Sequence, residues 1–563
     1  MASIQRRRLG DILIADGKVT SDQIEEALKM QKTLGKRLGE VLVETNIITE
    51  EEIVEAIVKQ TGIPRVDLKS IDLDRKAINL VTESLCRKYN LVPFGFTEDN
   101  KIKVSMADPL NIYAIDDINI STGFEVEIYI SLSNDVKRVI DVSYSSAEVL
   151  RAAESLSKET IESRNNNEVE EVDDVKTAPV VKMVDFLFKN AVDMRASDIH
   201  IEPYEHIIRI RYRIDGELQE INTLAIESLA PLVTRIKLLA DLNIAEKRIP
   251  QDGKIITKVG GEAIDLRVSI LPVVSGEKIV IRILRKSNYS LGKEKLGLTE
   301  SNLKKLDRIV GSPHGIILVT GPTGSGKSTT LYTVLNEINS SDINIITVED
   351  PVEYTLTGIN QVNVNNRAGL TFASGLRSIL RQDPDVVMVG EIRDEETAQI
   401  AVKAAITGHL VMSTLHTNDA PTSVSRLIDM GIEPYLVSTS ITGVIAQRLV
   451  RTICTNCKTS YEASEHEKKI LGQDVNRSLT LYKGLGCGHC NNTGYLGRQG
   501  VYEIMEVTRE IRDAINETKD SNVYKDIAIK NGMTTLEDEC KRLVLEGITT
   551  IKQLASITML TVE

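Results

Sequence analysis

The segment from Ile316 to Thr330, IILVTGPTGSGKSTT, constrains the fold more than any other part of the sequence. An apolar run leads into a glycine-rich loop and then into a helix-forming stretch, which predicts a strand, a phosphate-binding loop and a helix. All the fixed positions of G-x-x-x-x-G-K-[ST] are filled. The glycines allow backbone N–H groups to turn inward around phosphates, and the following helix adds its positive N-terminus. A chance glycine-rich turn would lack this context, so we expect the chain to bind ATP or GTP.

Each residue of this loop has a predicted role. Lys327 would reach the β- and γ-phosphates as a cation, and the Ser328 hydroxyl would fill one coordination position of Mg²⁺. The residues expected to bind the nucleotide are Gly321, Pro322, Thr323, Gly324, Ser325, Gly326, Lys327, Ser328 and Thr329.

Length and charge limit the remaining possibilities. A chain of 563 residues is too long for one hydrophobic core and predicts three or four domains. The formal net charge of −13 argues against a nucleic-acid-binding protein, because phosphate contacts need a basic surface. The sequence contains neither a signal peptide nor an apolar run long enough to cross a membrane. We therefore expect a cytosolic protein that does not insert into the membrane directly.

The first 60 residues contain an internal repeat. The segment from Arg8 to Gln31 recurs 29 residues later as the segment from Arg37 to Gln60. In each copy a threonine at an N-cap position is followed three residues later by Gln or Glu, which predicts two short helices around a tight turn. The capping pairs are Thr20 with Gln23 and Thr49 with Glu52. On spacing alone, a purely structural helical repeat explains the pattern as well as a ligand site does.

The central part of the chain predicts two α/β units separated by a linker. Short strands such as KIKVSM and EVEIYI, alternating with helical stretches, predict a small α/β domain over 63–144. Residues 145–179 contain NNNEVEEVDD and few large apolar residues, so they predict an acidic, flexible linker. An amphipathic helix then opens the next unit.

Arginines alternate with apolar residues in the segment HIIRIRYRIDGEL of this next unit. Arg209, Arg211 and Arg213 therefore share one face of a strand that ends in an Asp-Gly turn. Such a row is usually a solvated face, but a phosphate loop in the same chain favours arginines that reach a nucleotide. Arg267 and Arg282 are further candidates of the same kind.

Acidic and histidine residues lie at the ends of further apolar runs. INIITVED contains Glu349, and DPDVVMVGE ends at Glu391. The C-terminal ends of parallel strands meet at the nucleotide, so we expect both carboxylates near Ser328 and Mg²⁺. One would orient or deprotonate the attacking water and the other would hold the metal shell, and the sequence leaves open which does which. His409 and His416 flank the strand LVMSTL and are predicted γ-phosphate sensors, although single histidines at strands are more often structural.

Four of the six cysteines form two C-x-x-C pairs. This spacing is typical of a structural zinc site with four thiolate ligands, and a redox pair is the alternative. The predicted zinc ligands are Cys454, Cys457, Cys487 and Cys490.

The repeat resembles the tandem motif of the N-terminal cyclic-di-GMP-binding domain of some bacterial secretion and pilus assembly ATPases. The resemblance implies that the arginines face guanine or phosphate, that the glutamines contact the ligand, and that the Leu-Gly positions allow close stacking. Asn46 replaces Gly17 in the second copy and departs from the pattern at its turn. The implied ligand residues are Arg8, Leu9, Gly10, Leu13, Gln31, Arg37, Leu38, Gly39, Leu42 and Gln60.

The motifs GPTGSGKST, ITVEDPVEY, LRQDPDVVMVGEIRD and GHLVMSTLHTN, with RASDIHIEP and RIPQDGKI, resemble the signature set of the secretion ATPase superfamily. The resemblance is strongest to its pilus assembly and type II secretion branches. It implies that Glu349 is the catalytic glutamate, Glu391 the Walker B glutamate, and His409 and His416 the histidine box. It also implies that a group of arginines stabilises phosphate charge within or between subunits. These are Arg209, Arg211, Arg213, Arg267 and Arg282.

The resemblance implies an α/β multidomain chain that ends in a RecA-like P-loop motor domain. The expected order is a tandem-motif cyclic-di-GMP-binding region at 1–62, the small α/β domain at 63–144, the linker at 145–179, a PAS-like α+β domain at 180–290, and the motor domain at 291–563 with a tetracysteine zinc insert at about 452–495.

The function implied by the resemblance is a hexameric ATPase motor for type IV pilus assembly, regulated by cyclic-di-GMP. Its implied cofactors are ATP, Mg²⁺, Zn²⁺ and cyclic-di-GMP. Its implied partners are an inner-membrane platform protein and cytoplasmic pilus assembly proteins, which would hold it at the inner face of the cytoplasmic membrane. A type II secretion ATPase is an alternative, and a cyclic-di-GMP-responsive binding module with little ATPase activity is an alternative of another class.

Overall fold

A computed structural model describes residues 9–34, 38–45, 47–68, 71, 73–137, 139–140, 178–259, 261–285 and 292–558. Arg8, Arg37, Asn46 and nearly all of the predicted acidic linker lie outside the described residues. The chain divides into two compact units. One comprises Met1–Leu187 with Ala230–Arg235, and the other comprises Phe188–Leu229 with Ile236–Glu563. The finer domain boundaries inferred from the sequence stay predictions.

The first unit begins with two helix pairs, Leu9–Ala15 with Ser21–Leu34 and Leu38–Glu44 with Glu50–Thr61. The predicted capping interactions are present in both copies: Thr20 exchanges hydrogen bonds with Gln23, and Thr49 with Glu52. The turn of the first pair contains Gly17 at a φ of +69°, a conformation that favours glycine.

A three-stranded sheet completes this unit. Its strands are β1 (Leu91–Phe96), β2 (Ile102–Met106) and β3 (Val126–Ile130), in that order, with β1 and β2 antiparallel and β2 and β3 parallel. The accompanying helices are Arg75–Leu80, Glu83–Tyr89 and Ile112–Thr122. Their apolar faces enclose a core that includes Cys86, which belongs to neither C-x-x-C pair.

The second unit contains an antiparallel six-stranded sheet in the order β6-β5-β4-β9-β8-β7. The strands are β4 (Ala196–Pro203), β5 (Ile207–Ile214), β6 (Glu217–Ala225), β7 (Gln251–Val259), β8 (Glu262–Val273) and β9 (Gly276–Arg285). Helices Ala178–Asp193 and Leu229–Leu239 border these strands in the sequence, and their residues 178–187 and 230–235 belong to the first unit. β5 alternates as predicted from position 208 onward, with apolar residues buried on one face and arginines on the other, while Ile207 at its start is exposed. It ends at the Asp215-Gly216 turn, where both residues have positive φ.

The rest of the second unit is built around a seven-stranded sheet in the order β12-β11-β13-β14-β10-β15-β18. Its strands are β10 (Gly315–Thr320), β11 (Ile345–Glu349), β12 (Asn360–Asn363), β13 (Val386–Val389), β14 (Leu410–Leu415), β15 (Ile441–Ile453) and β18 (Tyr495–Glu506). All neighbours are parallel except β18, which is antiparallel to β15. β10 is buried along its whole length and contributes to apolar clusters on both faces of the sheet, as expected of a parallel α/β core.

Helices cover this sheet, and a hairpin extends from it. The helices are Glu300–Val310, Lys327–Ile338, Phe372–Ile379, Glu395–Ile406, Ala420–Asp429, Pro434–Ser440, Arg509–Glu517, Ser521–Lys530, Leu536–Leu545 and Ile551–Thr558. The hairpin of β16 (Lys458–Glu462) and β17 (Thr480–Gly484), with the helix Glu465–Ile470, lies between β15 and β18 in the sequence. This architecture agrees with the α/β fold class predicted above. Within the described residues, no helix is both long and apolar enough to cross a membrane.

Candidate functional site

The phosphate loop joins the C-terminal end of β10 to the helix Lys327–Ile338, as predicted. Gly321, Gly324 and Gly326 have φ of +148°, +80° and +91°, values that side chains rarely adopt. Lys327 Nζ donates to the carbonyl oxygens of Gly321 and Pro322, at 2.8 and 3.2 Å. Burial lowers the pKa of Lys327. The loop therefore holds its own lysine on backbone oxygens.

Ser328 and Thr329 are exposed in the first turn of this helix. The hydroxyl of Ser328 is therefore accessible to a cation beside the loop, where a phosphate-bound Mg²⁺ would need an oxygen ligand. The remaining predicted loop residues are divided between exposed Pro322 and Thr323 and buried Ser325.

Glu349 ends β11 and is 5% exposed. Its Oε1 accepts hydrogen bonds from Thr347 Oγ1 at 2.6 Å and from Gln361 Nε2 at 3.2 Å, and its Oε2 accepts one from the hydroxyl of Tyr332. Burial, followed by the negative charge of Glu349, raises the pKa of Tyr332, which keeps that hydroxyl a donor. Both oxygens of this carboxylate are thus engaged in hydrogen bonds.

Glu391 follows β13 by two residues and lies near the side chains of Arg393 and His416. Its Oε1 is 2.5 Å from Arg393 Nη2, and its Oε2 is 3.3 Å from His416 Nε2. Burial alone would raise the pKa of Glu391, but the hydrogen bonds and charges of Arg393 and His416 hold it below its usual range. The structure thus brings Glu391 and His416 together at one edge of the sheet. Their roles in hydrolysis stay predictions.

His409 and His416 flank β14, so they lie at opposite ends of that strand. β14 is parallel to β10. His416 therefore follows β14 at the end of the sheet where the phosphate loop lies, and His409 precedes β14 at the opposite end. Along a strand of this length the separation is about 20 Å. His409 Nδ1 lies 3.0 Å from the carbonyl oxygen of Ala404 in the preceding helix. The expectation that both histidines face one nucleotide is therefore not met within this chain.

Two carboxylates of β4 pair with most of the predicted arginines. Glu202 receives a two-pronged contact from Arg211, at 2.8 and 2.9 Å, and Asp198 lies 3.1 Å from Arg282 and 3.7 Å from Arg213. Arg209 stacks over Tyr204 and lies 3.9 Å from Glu202. These four arginines are thus held by their own sheet, and their contact with phosphate stays a prediction.

Asp198 and Glu202 are site residues that were not predicted from the sequence. The signal was available in SDIHIEP, where residues 198, 200 and 202 alternate onto one strand face. The position of β4 between β5 and β9 was not predictable from the sequence. This position places the two acids among the arginines.

Arg267 differs from the other four arginines because it reaches across to the parallel-sheet part of the same unit. Its Nη1 is 2.7 Å from Glu353 Oε2, and its Nη2 is 2.5 Å from the carbonyl oxygen of Val352. Both acceptors lie just after β11, which ends at Glu349. The structure therefore links this arginine to the segment that follows the predicted catalytic glutamate.

The four cysteines of the C-x-x-C pairs come together as predicted, with all four sulfurs within 4.8 Å of one another. Cys454 and Cys487 Sγ are 3.9 Å apart, Cys457 and Cys490 Sγ 3.8 Å, and Cys487 and Cys490 Sγ 3.7 Å. A tetrahedral Zn²⁺ with four thiolates needs sulfurs about 3.8 Å apart. The cluster therefore fits zinc in both ligand type and spacing.

Backbone donors favour the thiolate form at one of these cysteines. Burial would raise the pKa of Cys490, but the N–H groups of Cys487 and Gly494 donate to its sulfur at 3.3 and 3.2 Å and lower the pKa to about 7. The thiolate is the form that binds a metal.

The predicted cyclic-di-GMP residues in the described part of the repeat are divided between buried and half-buried positions. Leu13 and Leu42 are 1% and 0% exposed, so both side chains pack in the apolar core of the repeat. A Cβ on Gly10 would meet Ile24 at 3.4 Å, and one on Gly39 would meet Ile53, the equivalent isoleucine, at 3.3 Å. Half-buried positions in the repeat are Leu9, Gln31, Leu38 and Gln60. The Leu-Gly positions thus permit close helix packing, and ligand contact stays a prediction.

Sequence comparison places most of the chain in one family. Residues 173–556 match the profile of the family described as Type II/IV secretion system protein, and residues 61–150 match that of the MshEN domain. The second match begins where the second helix pair ends, so it covers the three-stranded sheet rather than the repeat.

Individual relatives extend the match over the whole chain. The chain is 41% identical to the type IV pilus assembly ATPase PilB of Myxococcus xanthus, over 98% of this chain and 99% of that protein. It is 46% identical to the type II secretion system ATPase E of Vibrio cholerae, over 77% of this chain and 84% of that protein. The Yersinia pseudotuberculosis ATPase DotB shares the fold, with a TM-score of 0.51 at 22% identity over 67% of this chain and 93% of that chain.

Proposed function

The chain belongs to the type II/IV secretion system ATPase family, and on that premise we propose that it is a hexameric motor that hydrolyses ATP to drive type IV pilus assembly. The observation that carries the pilus assignment is the extent of the match. The Myxococcus xanthus relative aligns along nearly the whole of both chains, N-terminal repeat included, whereas the Vibrio cholerae secretion relative aligns with about three quarters of this one.

The chemistry follows from the geometry of the phosphate-loop edge. Hydrolysis breaks the bond between the γ-phosphorus and the bridging oxygen of ADP and forms a bond to water, so the protein contributes position and charge. Lys327 would leave the loop carbonyls for the β- and γ-phosphates, and Ser328 would hold Mg²⁺, which neutralises phosphate charge. Loop amides at the helix N-terminus would hold the remaining phosphate oxygens.

The two glutamates would divide the remaining work. Glu391 is held in its ionised form beside Arg393 and His416, which suits a group that accepts hydrogen bonds from a metal-bound or attacking water. Glu349 already accepts three hydrogen bonds, so it would have to release one donor before it could deprotonate water. His416 would sense the γ-phosphate through Glu391, which lies 3.3 Å from its Nε2.

The motor would work on a membrane complex through partners. Pilin polymerisation requires force on an inner-membrane platform protein, and the chain would dock there with cytoplasmic pilus assembly proteins at the inner face of the membrane. Family membership supports the ring, in which Arg209, Arg211, Arg213 and Arg282 could reach the nucleotide of a neighbouring subunit after exchanging their carboxylate partners.

The N-terminal repeat would bind cyclic-di-GMP and regulate the motor. The support is the two-fold RLG repeat, the matching helix pairs and the MshEN match that follows them. The zinc insert is proposed to be structural, because four thiolates leave no position for a catalytic water.

Two alternatives remain testable. The identity to type II secretion ATPases is higher within the aligned part, which favours a secretion motor as the second candidate. The other is a cyclic-di-GMP-responsive binding module whose ATPase is nearly idle.

A Lys327→Ala substitution in the chromosomal gene separates these functions. We expect loss of surface pili with extracellular protein secretion retained, and loss of ATP turnover by the purified chain. Lys469→Ala, on the exposed side of the helix Glu465–Ile470, is the control and should change none of these. Secretion lost with pili retained would support the type II assignment, and pili retained without turnover would support the binding module.

A further inference from the structure

Arg448 lies beside the phosphate loop, on the strand next to β10. β15 pairs with β10 as far as Ala446 opposite Thr320, so Arg448 lies just past that point, where β10 has become the loop. The residue is 5% exposed. A buried guanidinium at this position needs acceptors for its N–H groups.

The guanidinium of Arg448 is only partly hydrogen-bonded. Its Nη2 lies 3.1 Å from the carbonyl oxygen and 3.2 Å from Oδ1 of Asn418. Its Nε and Nη1 are buried and have no hydrogen-bond partner in the described part of the chain. Leaving donors of a charged group without acceptors is unfavourable, so the arrangement points to an acceptor that becomes available in another state.

The unused Nη1 faces the first glycine of the phosphate loop. A Cβ built on Gly321 would lie 3.2 Å from Arg448 Nη1 and 2.7 Å from Ser325 Oγ, which is also buried and unpartnered among the described residues. The carbonyl oxygen of Gly321 accepts a hydrogen bond from Lys327 Nζ at 2.8 Å. One cation therefore occupies this carbonyl while a second lies beside the same glycine with donors to spare.

We propose that Arg448 is a positioning residue of the nucleotide site, which takes over the carbonyl oxygen of Gly321 when Lys327 turns to the phosphates. The inference rests on the proposed function, because a bound nucleotide is what draws Lys327 away. No covalent bond changes; the carbonyl exchanges one cationic donor for another, and Nη1 gains the acceptor that it lacks. Since Asn418 holds the other side of the guanidinium two residues after His416, the exchange ties the loop to the end of β14.

Nucleotide binding to the full-length chain tests this exchange. Calorimetry with Mg-ADP and with Mg²⁺ and a non-hydrolysable ATP analogue would be compared for wild type, Arg448→Met, Arg448→Lys and the control Arg477→Met. Arg477 is in the zinc insert and its side chain is 86% exposed. Thermal unfolding without nucleotide would be recorded for the same four proteins.

The expected result separates positioning from packing. Arg448→Met should bind nucleotide about tenfold more weakly, because the freed carbonyl loses a charged donor. Its unfolding temperature without nucleotide should be unchanged or higher, since an unpaired buried charge is removed. Arg448→Lys keeps the charge but has one nitrogen for two acceptors, so it should also bind more weakly. Arg477→Met should match wild type in both measurements.

Unchanged nucleotide affinity in Arg448→Met overturns the inference, whatever the unfolding temperature of that variant. If the methionine variant does not fold, wild-type affinity in Arg448→Lys overturns it instead. A wild-type chain that binds no nucleotide contradicts the proposed function itself.

Discussion

Arg267 Nη1 lies 2.7 Å from Glu353 Oε2, which connects β8 of the antiparallel sheet to the segment after β11 of the parallel sheet. Of the five predicted phosphate-binding arginines, Arg267 is the one whose side chain contacts a residue outside its own sheet and its turns. That residue, Glu353, lies four positions after Glu349 in the sequence. The pair is half-exposed, so its net contribution to stability is small. The pair matters because it holds the guanidinium of Arg267 close to the segment that follows Glu349.

Two substitutions distinguish a nucleotide-directed Arg267 from one that only clamps Glu353. Arg267→Ala should lower kcat/KM for ATP about a thousandfold, as expected when an arginine that stabilises phosphoryl transfer is lost. Glu353→Gln removes the charge that holds the arginine but leaves the arginine itself, so kcat/KM should stay within about threefold of wild type. Steady-state ATP turnover by the purified chain measures both. Equal losses in the two variants would show that the pair, not the arginine, is what matters.

The depressed pKa of Glu202 leads us to expect that the stability of the antiparallel sheet falls at acidic pH. Burial would raise the pKa of its carboxyl group, but hydrogen bonds and charges from Arg211 and Lys278 lower it to about 2. A carboxylate with a depressed native pKa stabilises the fold above its ordinary pKa and loses that contribution as pH falls through the native value. The sheet should therefore lose stability between about pH 4.5 and 2.

Amide hydrogen exchange of β4 and β5 at stepped pH measures this effect. Wild type should lose protection on acidification more steeply than Glu202→Gln, which has no carboxylate to protonate. Parallel pH profiles for the two proteins would contradict the assignment to Glu202.

The tetracysteine cluster should hold about one Zn²⁺ per chain. Metal analysis of the purified protein should find this zinc in wild type and in Cys540→Ser, whose thiol is buried elsewhere, but not in a Cys487→Ser, Cys490→Ser double variant. Because four thiolates close the site, metal loss should unfold the insert and leave Mg-ADP affinity unchanged. Retention of zinc in the double variant would exclude this cluster as the site.

The RLG repeat should bind cyclic-di-GMP. We expect calorimetry to show micromolar or tighter affinity, about −8 kcal/mol or better, in wild type and its loss in an Arg8→Ala, Arg37→Ala double variant. Arg87→Ala, in a helix beyond the repeat, is the control. Absence of binding in wild type would leave the repeat a structural element, and the ATPase assignment would stand on the parallel-sheet site alone.

Local features of this chain were predictable because their causes are local. The threonine N-caps of the repeat, the alternation of arginines along β5 and the positive φ of the loop glycines each depend on residues a few positions apart. The four cysteines were predictable for a different reason, since metal-ligand spacing identifies partners even when they are far apart in sequence.

Features that depend on which strands are neighbours were not predictable. His409 precedes and His416 follows the same apolar run, and the rule that C-terminal strand ends meet at the nucleotide separates them only once β14 is known to be parallel to β10. The carboxylate partners of the arginines come from β4, which the sequence does not place between β5 and β9. Arg448 carries no motif, and it becomes notable only because β15 runs past the end of β10.

The extension of β15 beyond the end of β10 has a mechanical consequence. The strand continues from Gln447, beside the phosphate loop, to Ile453, and Cys454 follows at once. It pairs with β18 over this stretch, with one irregularity in register between Arg451 and Ile453. A paired, extended strand hardly stretches, so this part of β15 is a stiff connection about 20 Å long between the phosphate loop and the first cysteine pair. A displacement of the phosphate loop along the strand would therefore be passed toward the insert, and the irregularity before Ile453 is the point on this path where the strand can bend.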